Sequence, residues 1–310
     1  MNDVYDVVVV GGGAGGLSGA LVLSRARRRV AVVDAGSPRN APAEHMHGYL
    51  SRDGMAPGDL LKVGRGEVEG YGGEVIDDRV VGIDPGFFVR LESGRVLRAR
   101  RILVASGLKD VLPDVPGLQE GWGKTVLHCP YCHGWEVRDR PVGVLAHPEV
   151  YGSGMVLHQV ELVRQWSDDV VFFPRGYELS DEERQRLAAR DIRVVEGVVA
   201  AVEDGSVRMS DGNAVEREAV FVAPRFVPND ELLRELGCEV EVDVENGQVQ
   251  VDAFGRTSEF GVWAVGNVVD PMAQVISAAA GGVKAAAALN ADLVQEDIER
   301  AVEQHRKHGL

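Results

Sequence analysis

The sequence predicts an α/β protein built from two Rossmann-like βαβ domains, one of them split in two by insertion of the other. Three observations predict it. Tyr5 to Val10 is an unbroken apolar, β-branched run that leads straight into Gly11-Gly12-Gly13-Ala14-Gly15-Gly16 and then a helical pattern. A second unit of strand, turn, helix and strand begins at Pro141. At 310 residues, 45% hydrophobic and with 38 glycines, the chain is long enough for two domains with a core each.

The first unit is justified element by element. A continuous apolar run such as Tyr5–Val10 suits a parallel strand buried on both faces. A helix is expected from Leu17 to about Arg27, and a second strand, Val30 to Val33, ends in Asp34. In this order Gly11 permits a tight turn, Gly13 lets backbone N–H groups approach a pyrophosphate, and Gly16 allows the helix to lie close on the strand. Asp34 falls at the spacing that takes a ribose hydroxyl. A glycine motif alone is weak evidence, but with both strands, the helix and the acid it reads as a dinucleotide site.

From Gly36 to about Gly58 the chain is rich in Pro, Gly, His and Asn and includes His45-Met46-His47. Two histidines at that spacing can hold a metal, yet no third ligand stands nearby, and a loop beside the cofactor is the preferred reading. A helix weakened by glycines follows over Asp59–Tyr71, then strands near Glu74–Ile76, Val80–Ile83, Phe87–Leu91 and Val96–Arg98. Arg101 to Val104 reads as a further strand, ending in the small turn Ala105-Ser106-Gly107. Leu112-Pro113-Asp114-Val115-Pro116-Gly117 is a stiff connection. The expected division is therefore 1–112 for the first part of the split domain, 113–222 for the insertion and 223–310 for the remainder.

Within the insertion, strand Pro141–Ala146, helix Met155–Trp166 and strand Val170–Phe173 repeat the βαβ layout with the wrong turn. Where a phosphate loop belongs, the chain reads Ala146-His147-Pro148-Glu149-Val150-Tyr151-Gly152. Its close-approach glycines are missing, Pro148 removes a donor, and Glu149 repels a diphosphate. Arg175 is a single cation where a 2′-phosphate wants a cluster. The second domain is present and its nicotinamide site is lost. Near Phe221–Arg225 the chain returns to the first domain, with Thr257–Asn267 as a strand and turn and a helical tail from Ala278 to about Gln304, loosened by Gly281-Gly282.

The insertion also carries His128-Cys129-Pro130-Tyr131-Cys132-His133-Gly134-Trp135-Glu136, with two of the chain's three cysteines. That spacing suits a small disulfide ring, half a metal site, or coincidence. A metal needs further ligands at comparable spacing, and Cys238 is isolated, so a redox pair is the reading adopted and no metal is expected. Pro130 suits the first position of a helix, which places Cys129 where unpaired N–H groups favour a thiolate. His133 is the nearest candidate acid or base and His128 a second; a plain surface histidine is the alternative for His133. Cys238 is either a buried apolar residue or a reactive thiol. A formal charge of −15 without a basic face argues against nucleic acid. The sequence shows no signal peptide and no segment long enough to span a bilayer, and the cysteine usage reads as cytoplasmic.

Taken together, Gly11 to Gly16 with Asp34, the Ala105-Ser106-Gly107 turn, the Cys129–Cys132 pair in an inserted domain, and Thr257 to Asn267 resemble the low-molecular-weight thioredoxin reductases. That resemblance implies FAD held by the first and last thirds, through Gly11, Gly13, Ala14, Gly15, Gly16, Asp34, Ala105, Ser106, Gly107, Gly266, Asn267, Gln274 and Val275. It implies a homodimer, with Cys132 as the flavin-proximal thiol and Cys129 as the exchange thiol. Asn267 stands where the family has an aspartate on the ribityl chain, which weakens that contact. Two departures, the lost phosphate loop and His133 in place of an acid after the pair, make the chain similar to the dithiol oxidases of gliotoxin- and holomycin-type natural products. The expected function is an FAD-dependent oxidase that closes a disulfide in a small-molecule dithiol through Cys129 and Cys132, with O2 as acceptor and H2O2 as product. The alternatives are a disulfide reductase fed by NADPH, ferredoxin or another donor, and a non-enzymatic redox sensor.

Overall fold

The computed structural model describes residues 4–307 apart from 204 and 242–246, with the backbone alone at 151–153 and 155. The chain forms two compact units: Met1–Ala41, Ala56–Lys109 and Val227–Leu310 make the first, and Pro42–Met55 with Asp110–Phe226 the second. The short segment 42–55 thus belongs with the inserted unit, although its flanks on both sides belong to the first.

In the first unit, β1 (Val4–Val10), α1 (Ala14–Arg25) and β2 (Val30–Asp34) make the βαβ turn. Helix α2 (Pro57–Gly70) leads to β3 (Glu74–Asp77), and β4 (Val80–Asp84), β5 (Phe88–Leu91) and β6 (Val96–Val104) follow. The sheet runs β3-β2-β1-β6-β5-β4. β1, β2, β3 and β6 are parallel, whereas β5 is antiparallel to both β4 and β6. The two strands expected at 96–98 and 101–104 are one. Besides β1, β6 is long enough to serve two further neighbours: its start pairs with β5 through Phe88–Arg98, and its end pairs with Val262–Ala264 through Ile102 to Val104. Val7, Val8 and Val9 are fully buried, as a strand covered on both faces requires.

The tail helix runs unbroken from Val275 to Lys307, so Gly281-Gly282 does not loosen it. A Cβ at Gly282 would lie 2.0 Å from the Gly15 carbonyl oxygen, so the glycine is there to let this helix and α1 touch backbone to backbone. Further along, Asp292 and Glu296 hold the buried Arg101, and Asp297 pairs with Arg28 and Arg100. Those pairs anchor the last chain segment to the sheet formed by the first.

The inserted unit has its own parallel sheet, in the order Arg193–Val194, Val170–Phe173, Val142–Leu145, Ala219–Val222, Val126–Leu127. Helix Met155–Val163 makes the crossover between the two central strands. A three-stranded antiparallel sheet, Val199–Glu203, Ser206–Met209 and Ala214–Glu216, accompanies it. Both Rossmann-like sheets are therefore present. Among the described residues no helix is long and apolar enough to cross a membrane.

Candidate active site

The first unit supplies a cradle for a dinucleotide. Gly11 turns the chain with φ +103°, and α1 starts at Ala14 with Gly13 as its N-cap and no side chain capping it. Its first N–H groups are thus left to an anion. A Cβ built at Gly13 meets no protein atom within 4 Å, so the approach to that helix end is open. Gly15 and Gly16 are buried against their surroundings, which leaves Gly13 and Ala14 as the residues facing the opening.

Asp34 closes the side of this turn. Its Oδ1 accepts the Gly12 N–H at 3.2 Å and its Oδ2 pairs with Arg65, which also reaches Asp77 at 2.5 Å. Each carboxylate oxygen retains a lone pair for a ribose hydroxyl. Opposite, the turn at Ala105, Ser106 and Gly107 is locked by Asn229. Ser106 Oγ donates to the Asn229 carbonyl at 2.6 Å, and Asn229 Nδ2 donates back to the Ser106 carbonyl at 2.8 Å. The open helix end, the carboxylate and the pinned turn fit FAD.

Gly266 and Asn267 open a short 3-10 turn, Gln274 stands just before the tail helix, and Val275 is its first residue. The Asn267 amide donates to the carbonyls of Asp270, Pro271 and Ala273, at 3.0, 3.3 and 2.9 Å. An aspartate could not donate to any of them. Asparagine here ties down its own loop and keeps its Oδ1 as an acceptor, so the substitution has a structural reason.

The inserted unit holds the cysteines. Pro130–His133 is a single helical turn with Cys129 as N-cap and Pro130 at its start, as the sequence suggests. The Cys129 carbonyl accepts from the N–H groups of Cys132 and His133, both at 3.1 Å. This brings the two sulfurs within 2.7 Å of each other. Both thiols are half-buried, whereas Tyr131 and Trp135 beside them are exposed. Tyr131 leans edge-on against Trp166, and Arg138 lies over the Trp135 ring. The His128 ring packs edge-to-face on Phe226 at 5.3 Å, and its carbonyl accepts from Gln159 Nε2 at 2.7 Å.

His133 brings the cysteine pair together with two residues that spacing alone does not select, Glu136 and His47. Burial, above all, pushes its pKa below the ordinary histidine range, against the pull of the Glu136 carboxylate and with a push from His47. His47 in turn reaches Glu136 Oε1 through Nε2 at 3.4 Å, and Asp53 Oδ2 through Nδ1 at 3.3 Å. Its one signal in the sequence is the His-x-His motif, which reads there as a loop beside the cofactor. The second histidine of that motif belongs to the unit that carries the cysteines.

The degenerate phosphate loop is tied up by His147 within it and by two arginines from elsewhere in the chain. The buried His147 accepts the Glu149 N–H on Nδ1 at 3.1 Å, Arg225 holds the Glu149 carboxylate at 2.6 Å, and Arg175 donates to the Ala146 carbonyl. A donor a diphosphate would need is thus spent, and a carboxylate is fixed at the loop. Cys238 is 5% exposed within the first unit's core, and burial pushes its thiol pKa up, so it is the apolar residue rather than a reactive thiol.

His147, like His133, is pushed below the ordinary histidine range, mainly by burial. The unfolded chain binds these protons as pH falls past about 6.5, while the folded chain resists them until lower pH. More protons on the unfolded state below that value means that stability falls with acidification. Thermal melts are expected to show a falling Tm from pH 7.5 to 5.5, and His147→Gln is expected to flatten that slope. A slope unchanged in the variant removes His147 from the account.

Comparison with known proteins places this arrangement. The profile of the pyridine nucleotide-disulphide oxidoreductases matches residues 5–282. The structure of HlmI superposes with a TM-score of 0.93 at 51% identity, covering 100% of this chain and 99% of HlmI. A probable thioredoxin reductase of Arthroderma benhamiae is 30% identical, over 96% of this chain and 82% of its own length. Thioredoxin reductase sirT of Leptosphaeria maculans is 29% identical, over 95% of this chain and 96% of its own. The chain belongs to the pyridine nucleotide-disulphide oxidoreductase family, as a thioredoxin reductase-like oxidoreductase whose cofactor is FAD.

Proposed function

We propose that the protein is an FAD-dependent dithiol oxidase that closes a disulfide in a small-molecule dithiol, with O2 as electron acceptor and H2O2 as product. The observation that carries this reading is the loop at residues 146–150, where the Glu149 N–H is spent on His147 and the Glu149 carboxylate is held by Arg225, so that the loop is ill-suited to a diphosphate. A loop that does not hold a nicotinamide diphosphate favours electrons entering as a thiol pair at Cys129 and Cys132.

Cys129 takes the attack of the first substrate thiolate, and its bond to Cys132 breaks, leaving Cys132 as thiolate. The second substrate thiolate then attacks the substrate sulfur bound to Cys129, closing the product disulfide and releasing Cys129. One disulfide is reduced and one is formed, so electrons balance, and two substrate protons must be removed. His133, kept neutral by burial, is the base for them. General-base help of this kind is worth about 10²–10⁴ in rate. His128 lies beside the pair as a second imidazole, its ring fixed on Phe226. When bound, FAD supplies a two-electron acceptor that O2 can reoxidise. Exposed Tyr131 and Trp135 give the substrate side an aromatic surface. We infer a homodimer working in the cytoplasm, from the resemblance and the sparse cysteines.

The second reading is a disulfide reductase, favoured by the names of the relatives above. One experiment separates the two. Mixed anaerobically with NADPH, the yellow enzyme is expected to keep its flavin absorbance over many seconds, while dithiothreitol bleaches it. In air, dithiothreitol is expected to drive oxygen uptake with H2O2 formed mole for mole. Rapid bleaching by NADPH would overturn the oxidase.

A further inference from the structure

One turnover of dithiol oxidation removes two thiol protons, and His133 can hold only one. It must be emptied between the first deprotonation and the second. The groups around it form a path for this. Glu136 lies three residues beyond His133, and its carboxylate pulls the His133 pKa upward. His47 reaches Glu136 with Nε2 and Asp53 with Nδ1, at 3.4 and 3.3 Å. Glu136 is 41% exposed, His47 22% and Asp53 65%, so the path ends on a side chain open to solvent.

The loop that carries His47 is closed on itself. Met46 N–H donates to the Met55 carbonyl and Gly54 N–H to the Met46 carbonyl, both at 2.9 Å, so His47 and Asp53 face each other across a fixed neck. The Gly48 N–H also binds Asp53 Oδ1 at 2.9 Å. That bond first, then His47, holds the Asp53 carboxyl below the usual carboxylate range. His45, whose ring centroid is 6.5 Å from that of His47, is the remaining titratable ring beside it. A protonated His47 donates to both carboxylates and a neutral one to a single carboxylate, so the ring can pass a proton between them by changing partners.

We propose that Glu136, His47 and Asp53 are a proton-exit relay that empties His133 between the two thiol deprotonations of one catalytic cycle. His47 is a positioning and relay residue here, acting through His133 rather than on the substrate. The proposal rests on the reading of Cys129 and Cys132 as a dithiol-exchanging pair.

The test uses the FAD-loaded enzyme, reduced anaerobically by dithiothreitol in a stopped-flow instrument from pH 6 to 9. His47→Ala is expected to slow reduction about tenfold, below the ~10²–10⁴ of a direct general base because His47 acts through His133. Added imidazole is expected to restore most of the loss while leaving the wild type unchanged. His47→Gln, which keeps a polar side chain but carries no titratable ring, should be as slow as the alanine variant and should respond to imidazole less, because its side chain still fills the site. Asp53→Asn, at the exposed end, should slow reduction about threefold. Flavin content and circular dichroism equal to wild type exclude misfolding as the cause. A wild-type rate and pH profile in His47→Ala overturns the relay, as does a loss that imidazole leaves untouched or that His47→Gln does not share. A wild-type enzyme that dithiothreitol fails to reduce overturns instead the dithiol reading beneath it.

Discussion

Cys132→Ser and Cys129→Ser each reduce dithiol-dependent oxygen uptake by about three orders of magnitude or more, since a nucleophile and its resolving partner act as one unit. Serine cannot form the disulfide that carries the electron pair, and its hydroxyl stays protonated at any working pH. The sulfurs sit 2.7 Å apart on a single helical turn, so neither has a substitute within reach. Cys238 is buried in the other compact unit and burial raises its thiol pKa, so it does not rescue either variant. The two variants should differ in what they trap. If Cys129 is the exchange thiol, Cys132→Ser treated with a linear aromatic disulfide accumulates one stable mixed disulfide per chain, at Cys129, because no neighbour resolves it. Cys129→Ser should accumulate far less. Intact-mass measurement with peptide mapping reads both. An adduct favouring Cys132 reverses the assignment of the two thiols, and a wild-type rate surviving both substitutions removes the pair from the mechanism.

Legibility in the sequence follows locality. The βαβ turn is written in a continuous run, so the tight turn at Gly11 and the close packing at Gly16 can be read from the residues alone, and Pro130 at the start of a helical turn follows from the ring's fixed φ. The failed phosphate loop is readable because Pro148 and Glu149 are wrong residues at a known position. How the loop is tied up is not readable, since Arg225 lies far along the chain from the carboxylate it holds. Set beside an aspartate, Asn267 reads only as a weakened contact. Its three donor bonds to the following loop depend on backbone geometry that spacing does not show. The place of His47 is hidden for a related reason. Residues 42–55 are flanked by the first unit yet belong with the second, and nothing in a linear pattern announces such an excursion. The long β6 reads as two strands because its polar first half and apolar second half answer to different neighbours.

Gly16→Ala is expected to give a protein largely without FAD and with a clearly lowered Tm. An added Cβ would stand 2.0 Å from the Gly11 carbonyl oxygen, 3.1 Å from its carbon and 3.2 Å from Val9 Cγ1. Two of those three atoms are backbone, so no rotamer change relieves the clash and α1 must lift off β1. Overpacking a well-packed core costs about 1–3 kcal/mol, and a backbone clash lies at or above the upper end. Lifting α1 also withdraws the helix N-terminus from the place where a diphosphate would lie, so affinity and stability fall together. Gly13→Ala separates the two effects. Its Cβ meets no protein atom within 4 Å and its φ of −76° suits alanine, so the apo protein should melt as wild type does. The same methyl group projects into the open approach and should weaken FAD binding, read as the ratio of flavin to protein absorbance after dialysis against a range of FAD concentrations. Wild-type affinity in Gly13→Ala would mean that the diphosphate does not approach this turn, and wild-type melting in Gly16→Ala would mean that the helix has room the geometry denies it.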